Sequence, residues 1–137
     1  MNIFRAMLMI SILAILSCTG TQSVKNQLDS RIPPPDPSNY EHGFREDWQN
    51  PILTYRANGV EVTSKVAGLD NKLIPVSQLS RVLIELPVNA WPYGRVVSTG
   101  KPGLSAAFEE PKITETEAEA EKVLKSLGVE SLGRMRA

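Results

Sequence analysis

The amino-acid sequence predicts a small α+β domain of two layers, in which a β-hairpin, a helix, a strand and a second helix follow one another. Three observations predict it: a turn dipeptide between two alternating segments, an apolar stripe at helical spacing, and a later helix with marked ends. The length of 137 residues suits one domain, which we assign to residues 51–137. Both helices are expected on one face of the sheet, because each carries a single apolar stripe to bury.

The hairpin is predicted for residues 52–64. Asn58-Gly59 is the dipeptide that a two-residue type I′ turn prefers. A turn at this dipeptide sets the cross-strand pairs Ala57–Val60, Arg56–Glu61, Tyr55–Val62, Thr54–Thr63 and Leu53–Ser64. One face of the hairpin is then apolar, while the other carries an ion pair and a hydroxyl pair, both of which are favourable across strands.

A loop over residues 65–74 and a helix come next. Ser77 is a suitable N-cap, and Pro87 ends the helix because proline lacks the amide hydrogen that the next turn needs. The helix buries a stripe made of Leu79, Val82, Leu83 and Leu86. The β-branched run over residues 95–99 then predicts a strand.

The second helix follows an irregular connection over residues 101–111. Thr114 and Glu117 have the spacing of a capping box at its start. Gly128 is a suitable residue just past its end, where Val129 would contact Leu124 in a Schellman motif. Four acidic residues crowd the first half, which complements the helix dipole; they are Glu115, Glu117, Glu119 and Glu121. We therefore interpret them as helix electrostatics rather than as catalytic carboxylates.

The N-terminus has the pattern of an export signal. Arg5 precedes an apolar run of 11 residues from Ala6 to Leu16, which is too short to cross the hydrocarbon core of a bilayer, about 30 Å thick. Residues 15–18 (ILSC) resemble the lipobox of bacterial lipoproteins. That resemblance implies that residues 1–17 are a signal peptide and that Cys18 receives a diacylglycerol and an acyl chain such as palmitate. The alternative is an ordinary signal peptide with an incidental cysteine.

Residues 18–50 are predicted to connect the lipidated Cys18 to the domain. The proline-rich stretch 32–37 favours a stiff polyproline II tether. Ser38 and Glu41 have capping-box spacing, and the helix they would begin places three aromatic residues on one face, namely Tyr40, Phe44 and Trp48. This face either packs on the domain or docks a partner. His42 lies beside three carboxylates, and we expect a solvated side chain there rather than a metal ligand.

A second resemblance concerns the domain. Residues 86–97 (LPVNAWPYGRVV) and 124–129 (LKSLGV) resemble a pattern in uncharacterised exported bacterial proteins. The element order over residues 52–129 is similar to the periplasmic domain of ExbD/TolR proteins, which couple proton-driven motors to the cell envelope. The resemblance implies the fold alone, because residues 1–18 contain no Asp, whereas the membrane helix of that family carries one.

Composition excludes several functions. Fifteen basic and fifteen acidic residues give no net charge, which argues against a nucleic-acid partner. One Cys and one His exclude an internal disulfide and the common zinc sites, so we expect no metal and no cofactor. The sequence also lacks a glycine-rich phosphate loop, the HExxH motif and a GxSxG nucleophile elbow.

The expected function is that of a lipid-anchored, exported cell-envelope protein that binds another protein without catalysis. Thr19 follows Cys18 where retention in the inner membrane would require Asp, so the outer membrane is favoured if the host is Gram-negative. The predicted partner-binding residues are Tyr40, Phe44, Trp48, Trp91 and Tyr93. One alternative is a small enzyme or accessory that acts on cell-wall or sugar polymers. Another is a homodimer formed through an exposed strand edge.

Overall fold

The computed structural model describes residues 27–40, 48–102 and 108–133. Within these residues the five strands and the two longer α-helices are β1 Ile52–Arg56, β2 Gly59–Ser64, β3 Leu69–Ile74, α1 Leu79–Glu85, β4 Val96–Gly100, α2 Glu110–Ser126 and β5 Glu130–Leu132. Short 3-10 helices lie at Pro37–Asn39, Val76–Gln78 and Val88–Ala90. None of the helices in these residues has the length and apolar character that a membrane crossing requires.

The strands form one mixed sheet in the order β3-β2-β1-β4-β5. The β1–β2 and β2–β3 pairs are antiparallel, whereas β4 runs parallel to both β1 and β5. Both α-helices contribute to the main core with the sheet, as the buried residues of each helix show. The predicted α+β class, with its order of hairpin, helix, strand and helix, is confirmed.

Two strands were not predicted. β3 lies within the predicted loop 65–74, and four of its six residues are exposed because it is an edge strand. A strand of this kind carries no alternation of apolar and polar residues from which it could be recognised. β5 follows Gly128 and has only three residues. Its position beside β4 depends on pairing with a distant part of the chain.

The hairpin forms at the predicted place, but its predicted register is wrong by two residues. The turn residues are Ala57 and Asn58, and Tyr55 pairs with Val60 rather than with Val62. Neither turn residue has the positive φ that a type I′ turn requires. A slip of two residues keeps each side chain on its face, so the apolar face of the hairpin is unchanged. Gly59 has a φ of +152°, and a Cβ there would lie 2.3 Å from the Ile74 carbonyl oxygen.

Both helices begin elsewhere than predicted. Ser77 is not the N-cap of α1, because it lies inside the 3-10 helix Val76–Gln78, which leads directly into α1. α2 begins four residues before Thr114, because Pro111 fits the first turn of a helix, where its missing amide hydrogen costs nothing. The helix ends were predicted correctly. Pro87 follows the end of α1, and the Val129 amide donates to the Leu124 carbonyl at 2.9 Å, as a Schellman motif requires.

Residues 27–40, which we call the N-terminal strap, pack against the domain. Leu28 and Ile32 lie in the main core with the residues that α1 and α2 bury. The Arg95 amide donates to the Pro33 carbonyl at 2.9 Å, and the Asp36 amide donates to the Tyr93 carbonyl at 3.2 Å. The predicted tether at residues 32–37 is therefore wrong, because this stretch packs on the domain and contributes to the fold.

Two arginines hold the strap in place. Arg31 donates to the carbonyls of Ile84 and Leu86 at 3.1 and 3.0 Å, which satisfies acceptors left open at the end of α1. Arg95 forms an ion pair of 3.0 Å with Asp29 and donates to the Ile32 carbonyl at 3.0 Å. The strap is thus bonded both to a helix end and to the residue before β4.

Candidate functional site

The predicted aromatic residues lie in two places. Tyr40, Trp48 and Tyr93 form one cluster, with ring centroids 4.9–5.8 Å apart, on the sheet face opposite the α-helices. There they cover Val96, and Tyr40 and Trp48 are both buried. Trp91 is buried separately in the main core. This packing agrees with the first interpretation of the aromatic segment, and in this conformation Tyr40, Trp48 and Trp91 are not accessible to a partner.

Three predictions concern residues that the structure does not describe. Cys18, Phe44 and His42 all lie outside the described ranges. Within those ranges the 3-10 helix Pro37–Asn39 is capped by Asp36, whose carboxylate accepts from the Ser38 amide at 3.1 Å. Ser38 is therefore inside this short helix rather than at its N-cap.

A partly buried polar network links the sheet to α2. The Tyr55 hydroxyl donates to Glu121 Oε1 at 2.6 Å, and the Ser131 hydroxyl donates to the same oxygen at 2.8 Å. Thr99 Oγ1 lies 3.0 Å from Ser131 Oγ and donates to the Leu132 carbonyl at 3.1 Å. The network therefore joins β1, β4, β5 and α2 at one point.

The tyrosine in this network holds its proton firmly. Burial, followed by the hydrogen bond to Glu121 and the negative charge of that residue, raises the pKa of Tyr55 far above its usual value of about 10. Tyr55 is therefore a hydrogen-bond donor throughout the neutral range. Glu121 accepts two hydrogen bonds and is consequently fixed in orientation.

The network opens onto a groove between α2 and β5, which we call the α2–β5 groove. Its volume is about 390 Å³, and it is lined by Ala118, Glu121, Lys122, Lys125, Val129 and Ser131. Lys122 and Lys125 are exposed, and neither takes part in the ion pairs found within the described residues. The groove therefore presents two lysines and one glutamate, Glu121, beside a strand at the edge of the sheet.

A second groove lies at the turn between β1 and β2. Its volume is about 450 Å³, and one side of it is formed by Lys112, Glu115, Thr116 and Glu119 of α2. Glu115 and Glu119 are both exposed. In the part of the chain that the structure describes, no group of three or more His, Cys, Asp or Glu side chains is arranged to hold a metal ion.

The polar network was not predicted. In the sequence, Glu121 is one of four glutamates that complement the helix dipole, and Tyr55 belongs to the apolar face of the hairpin. The two side chains are 66 residues apart in the chain, and Ser131 belongs to a strand that was not predicted. One local signal was present, because Glu121 immediately follows the buried Ala120 and so lies close to the apolar stripe.

Comparisons of the chain with protein-family models, with curated proteins and with solved structures found no match. The resemblances to bacterial lipoproteins and to the ExbD/TolR periplasmic domain therefore stay predictions from the sequence.

Proposed function

We propose that this protein is a lipid-anchored cell-envelope protein whose domain binds another protein without catalysing a reaction. The observation that carries the proposal is the lipobox-like sequence ILSC at residues 15–18, which follows a short apolar run. Acylation of Cys18 with two or more chains would give a stable anchor, since each buried CH₂ contributes about 0.8 kcal/mol. We propose the outer membrane as the location if the host is Gram-negative, because Thr19 rather than Asp follows Cys18.

The proposed anchor keeps the domain close to the bilayer. The strap is packed from Leu28 onward, so only the residues between Cys18 and Leu28 separate the lipid from the core. Ten residues of fully extended chain span at most about 36 Å. A domain held at this distance can contact a partner that lies in or beside the same membrane.

The α2–β5 groove is the surface that best suits a partner. It combines an edge strand with two exposed lysines, whereas Tyr40, Trp48 and Trp91 are buried. Glu121 and Ser131 beside it are held in place by the polar network. Rigid surroundings favour binding, because fewer side chains lose freedom when the partner arrives.

The anchor is tested by mass spectrometry of the chain produced in a Gram-negative host. We expect a mature N-terminus at Cys18 that carries acyl chains, and a Cys18→Ala variant that keeps residues 1–17 and no lipid. An unmodified cysteine in the mature protein, or a wild-type chain that keeps its first 17 residues, would contradict the proposal.

Partner binding is tested by photo-crosslinking in the same cells. A crosslinking amino acid is placed at Lys122 or at Lys125, and the control carries it at Lys112, which lies on the same helix but faces the other groove. We expect an adduct with one envelope protein from the first two positions and none from the control. Recovery of the monomer alone from all three positions would argue against a binding module.

A second candidate is a small enzyme or accessory that acts on cell-wall or sugar polymers. It is favoured by the groove at the β1–β2 turn, whose volume is within the range of about 300–1,000 Å³ that ligand sites occupy and which holds two glutamates. Turnover of envelope polymers by the purified chain, lost in Glu115→Gln or Glu119→Gln and kept in Glu130→Gln, would support it. Without turnover this candidate is rejected.

A further inference from the structure

We infer that the α2–β5 groove binds an extended, acidic segment of the partner, which adds to the sheet as a sixth strand beside β5. This inference deepens the proposed function and rests on it, because it names the chemistry of the partner at the same surface. It is carried by the free backbone edge of β5, by the charge of the groove, and by the way residues alternate along an added strand.

The backbone of β5 leaves one edge to which a further strand can be added. Among the described residues, β5 pairs with β4 alone and is the last strand of the sheet. The Glu130 amide donates to the Arg95 carbonyl at 2.9 Å, so Glu130 turns its backbone groups toward β4. Successive residues of a strand turn these groups to opposite sides, and the amide and carbonyl of Ser131 therefore face the open edge. An extended peptide can satisfy both groups by strand addition.

The charge of the groove favours an acidic segment. The groove lining contains two lysines and one glutamate. Glu121 already accepts hydrogen bonds from Tyr55 and Ser131 through one oxygen, which turns that oxygen toward the sheet. Lys122 and Lys125 have no comparable partner in the described part of the chain. An acidic side chain in the groove would neutralise them, whereas a basic one would be repelled.

Side chains alternate between the two faces of a strand, and this alternation limits which segment fits. Ser131 faces α2, while Leu132 lies on the opposite face of the sheet against the cluster of Tyr40, Trp48 and Val96. A strand added beside β5 would place every second residue in the α2–β5 groove and the others beside Leu132. The fitting segment therefore alternates acidic residues with apolar ones.

The charge of the α2–β5 groove also disfavours two other occupants, the residues that follow β5 and a second copy of the chain. The chain continues after β5 into residues 134–137, which contain Arg134 and Arg136, so this tail has the same sign of charge as the groove. A second copy that paired through β5 would bring Lys122 and Lys125 of two chains close together. An acidic partner meets neither difficulty.

The test uses the full chain in detergent and a fluorescein-labelled peptide of nine residues in which Glu alternates with Val. Binding is followed by fluorescence anisotropy, beside a matched peptide that has Gln in place of each Glu. We expect the acidic peptide to bind at least tenfold more tightly. The Lys122→Glu/Lys125→Glu variant should weaken its binding about tenfold or more, which is about 1.4 kcal/mol. Lys112→Glu, on the same helix outside the groove, should leave it unchanged.

A second pair of variants separates strand addition from simple charge attraction. Ser131→Pro removes the backbone donor at the free edge, whereas Ser131→Ala keeps the donor and loses only the hydroxyl. We expect Pro to abolish binding and Ala to weaken it far less, while the far-ultraviolet circular dichroism of both variants matches the parent. Equal binding by the Pro and Ala variants would overturn strand addition.

Other results would assign the groove to a different occupant. If the acidic peptide bound only after deletion of residues 134–137, those residues would be the occupant of the groove. A dimer in analytical ultracentrifugation that Lys122→Glu/Lys125→Glu disrupts would give it to a second copy. Either result overturns the inference. The peptide-binding measurements need no membrane. A failure to bind the peptide would therefore not contradict the acylation of Cys18, and an unacylated Cys18 would not contradict peptide binding.

Discussion

Leu28→Ala tests whether the N-terminal strap belongs to the folded domain. Leu28 is 0% exposed and lies in the main core with Leu124 of α2. The substitution removes three carbon atoms, which costs about 2.4 kcal/mol at about 0.8 kcal/mol per buried methylene. The remaining cavity adds to this, so the free energy of unfolding should fall by roughly 3 kcal/mol. With the slope usual for a small protein, the urea midpoint should move down by about 1–3 M.

The unfolding can be followed by tryptophan fluorescence, since Trp48 and Trp91 are both buried. The matched control is Leu73→Ala, the same substitution at a leucine of β3 that is 46% exposed, for which we expect a loss below about 1 kcal/mol. A Leu28→Ala variant that unfolds within about 0.5 kcal/mol of the parent would refute the packed strap. Residues 27–40 would then form a tether after all.

Three further substitutions test particular contacts. Gly94→Ala should lower the free energy of unfolding in urea by about 2–4 kcal/mol, because a Cβ there would lie 2.3 Å from the Pro34 carbonyl oxygen of the strap. The control is Gly68→Ala, which also has a positive φ but nothing within 4 Å of its Cβ, and it should cost about 1 kcal/mol. Tyr55→Phe should cost about 1–3 kcal/mol at pH 7, because it removes the hydrogen bond to Glu121. Since folding raises the pKa of Tyr55, the stability that it contributes is complete below about pH 10 and is lost above it, so the parent and the variant should converge as the pH rises past 10. Asn50→Ala should cost about 2–4 kcal/mol, because three backbone groups lose their buried partner; an unchanged melting temperature would contradict that network.

Local rules predicted the parts of the fold that depend on neighbouring residues. The C-terminus of α2 is one example, because a glycine at positive φ and the apolar residue after it suffice for a Schellman motif. The apolar face of the hairpin is another, since it follows from alternation and survives a slip of two residues. The register itself depends on Gly59, where the carbonyl of Ile74 leaves no room for a side chain. That contact comes from β3, which local alternation does not reveal.

The polar network of the candidate site could not be predicted from neighbouring residues, because it also depends on contacts between distant parts of the chain. Tyr55 and Glu121 each fit a simpler local interpretation, one as an apolar strand residue and the other as part of an acidic helix. Only the placement of β5 beside β4 brings Ser131 to the pair. A three-residue strand has almost no periodicity of its own, so its place is decided by the sheet edge that it completes.

The strap is packed although its proline-rich sequence favours a tether. Proline has no amide hydrogen, and a run of prolines therefore suggests a segment that forms no hydrogen bonds with a sheet. Each proline still has a carbonyl acceptor, and that of Pro33 accepts from the Arg95 amide. The close approach also needs space, which Gly94 provides because it has no side chain to meet the Pro34 carbonyl. The information for the packed strap thus resided in Gly94 and Arg95, about 60 residues away in the chain, and not in the prolines themselves.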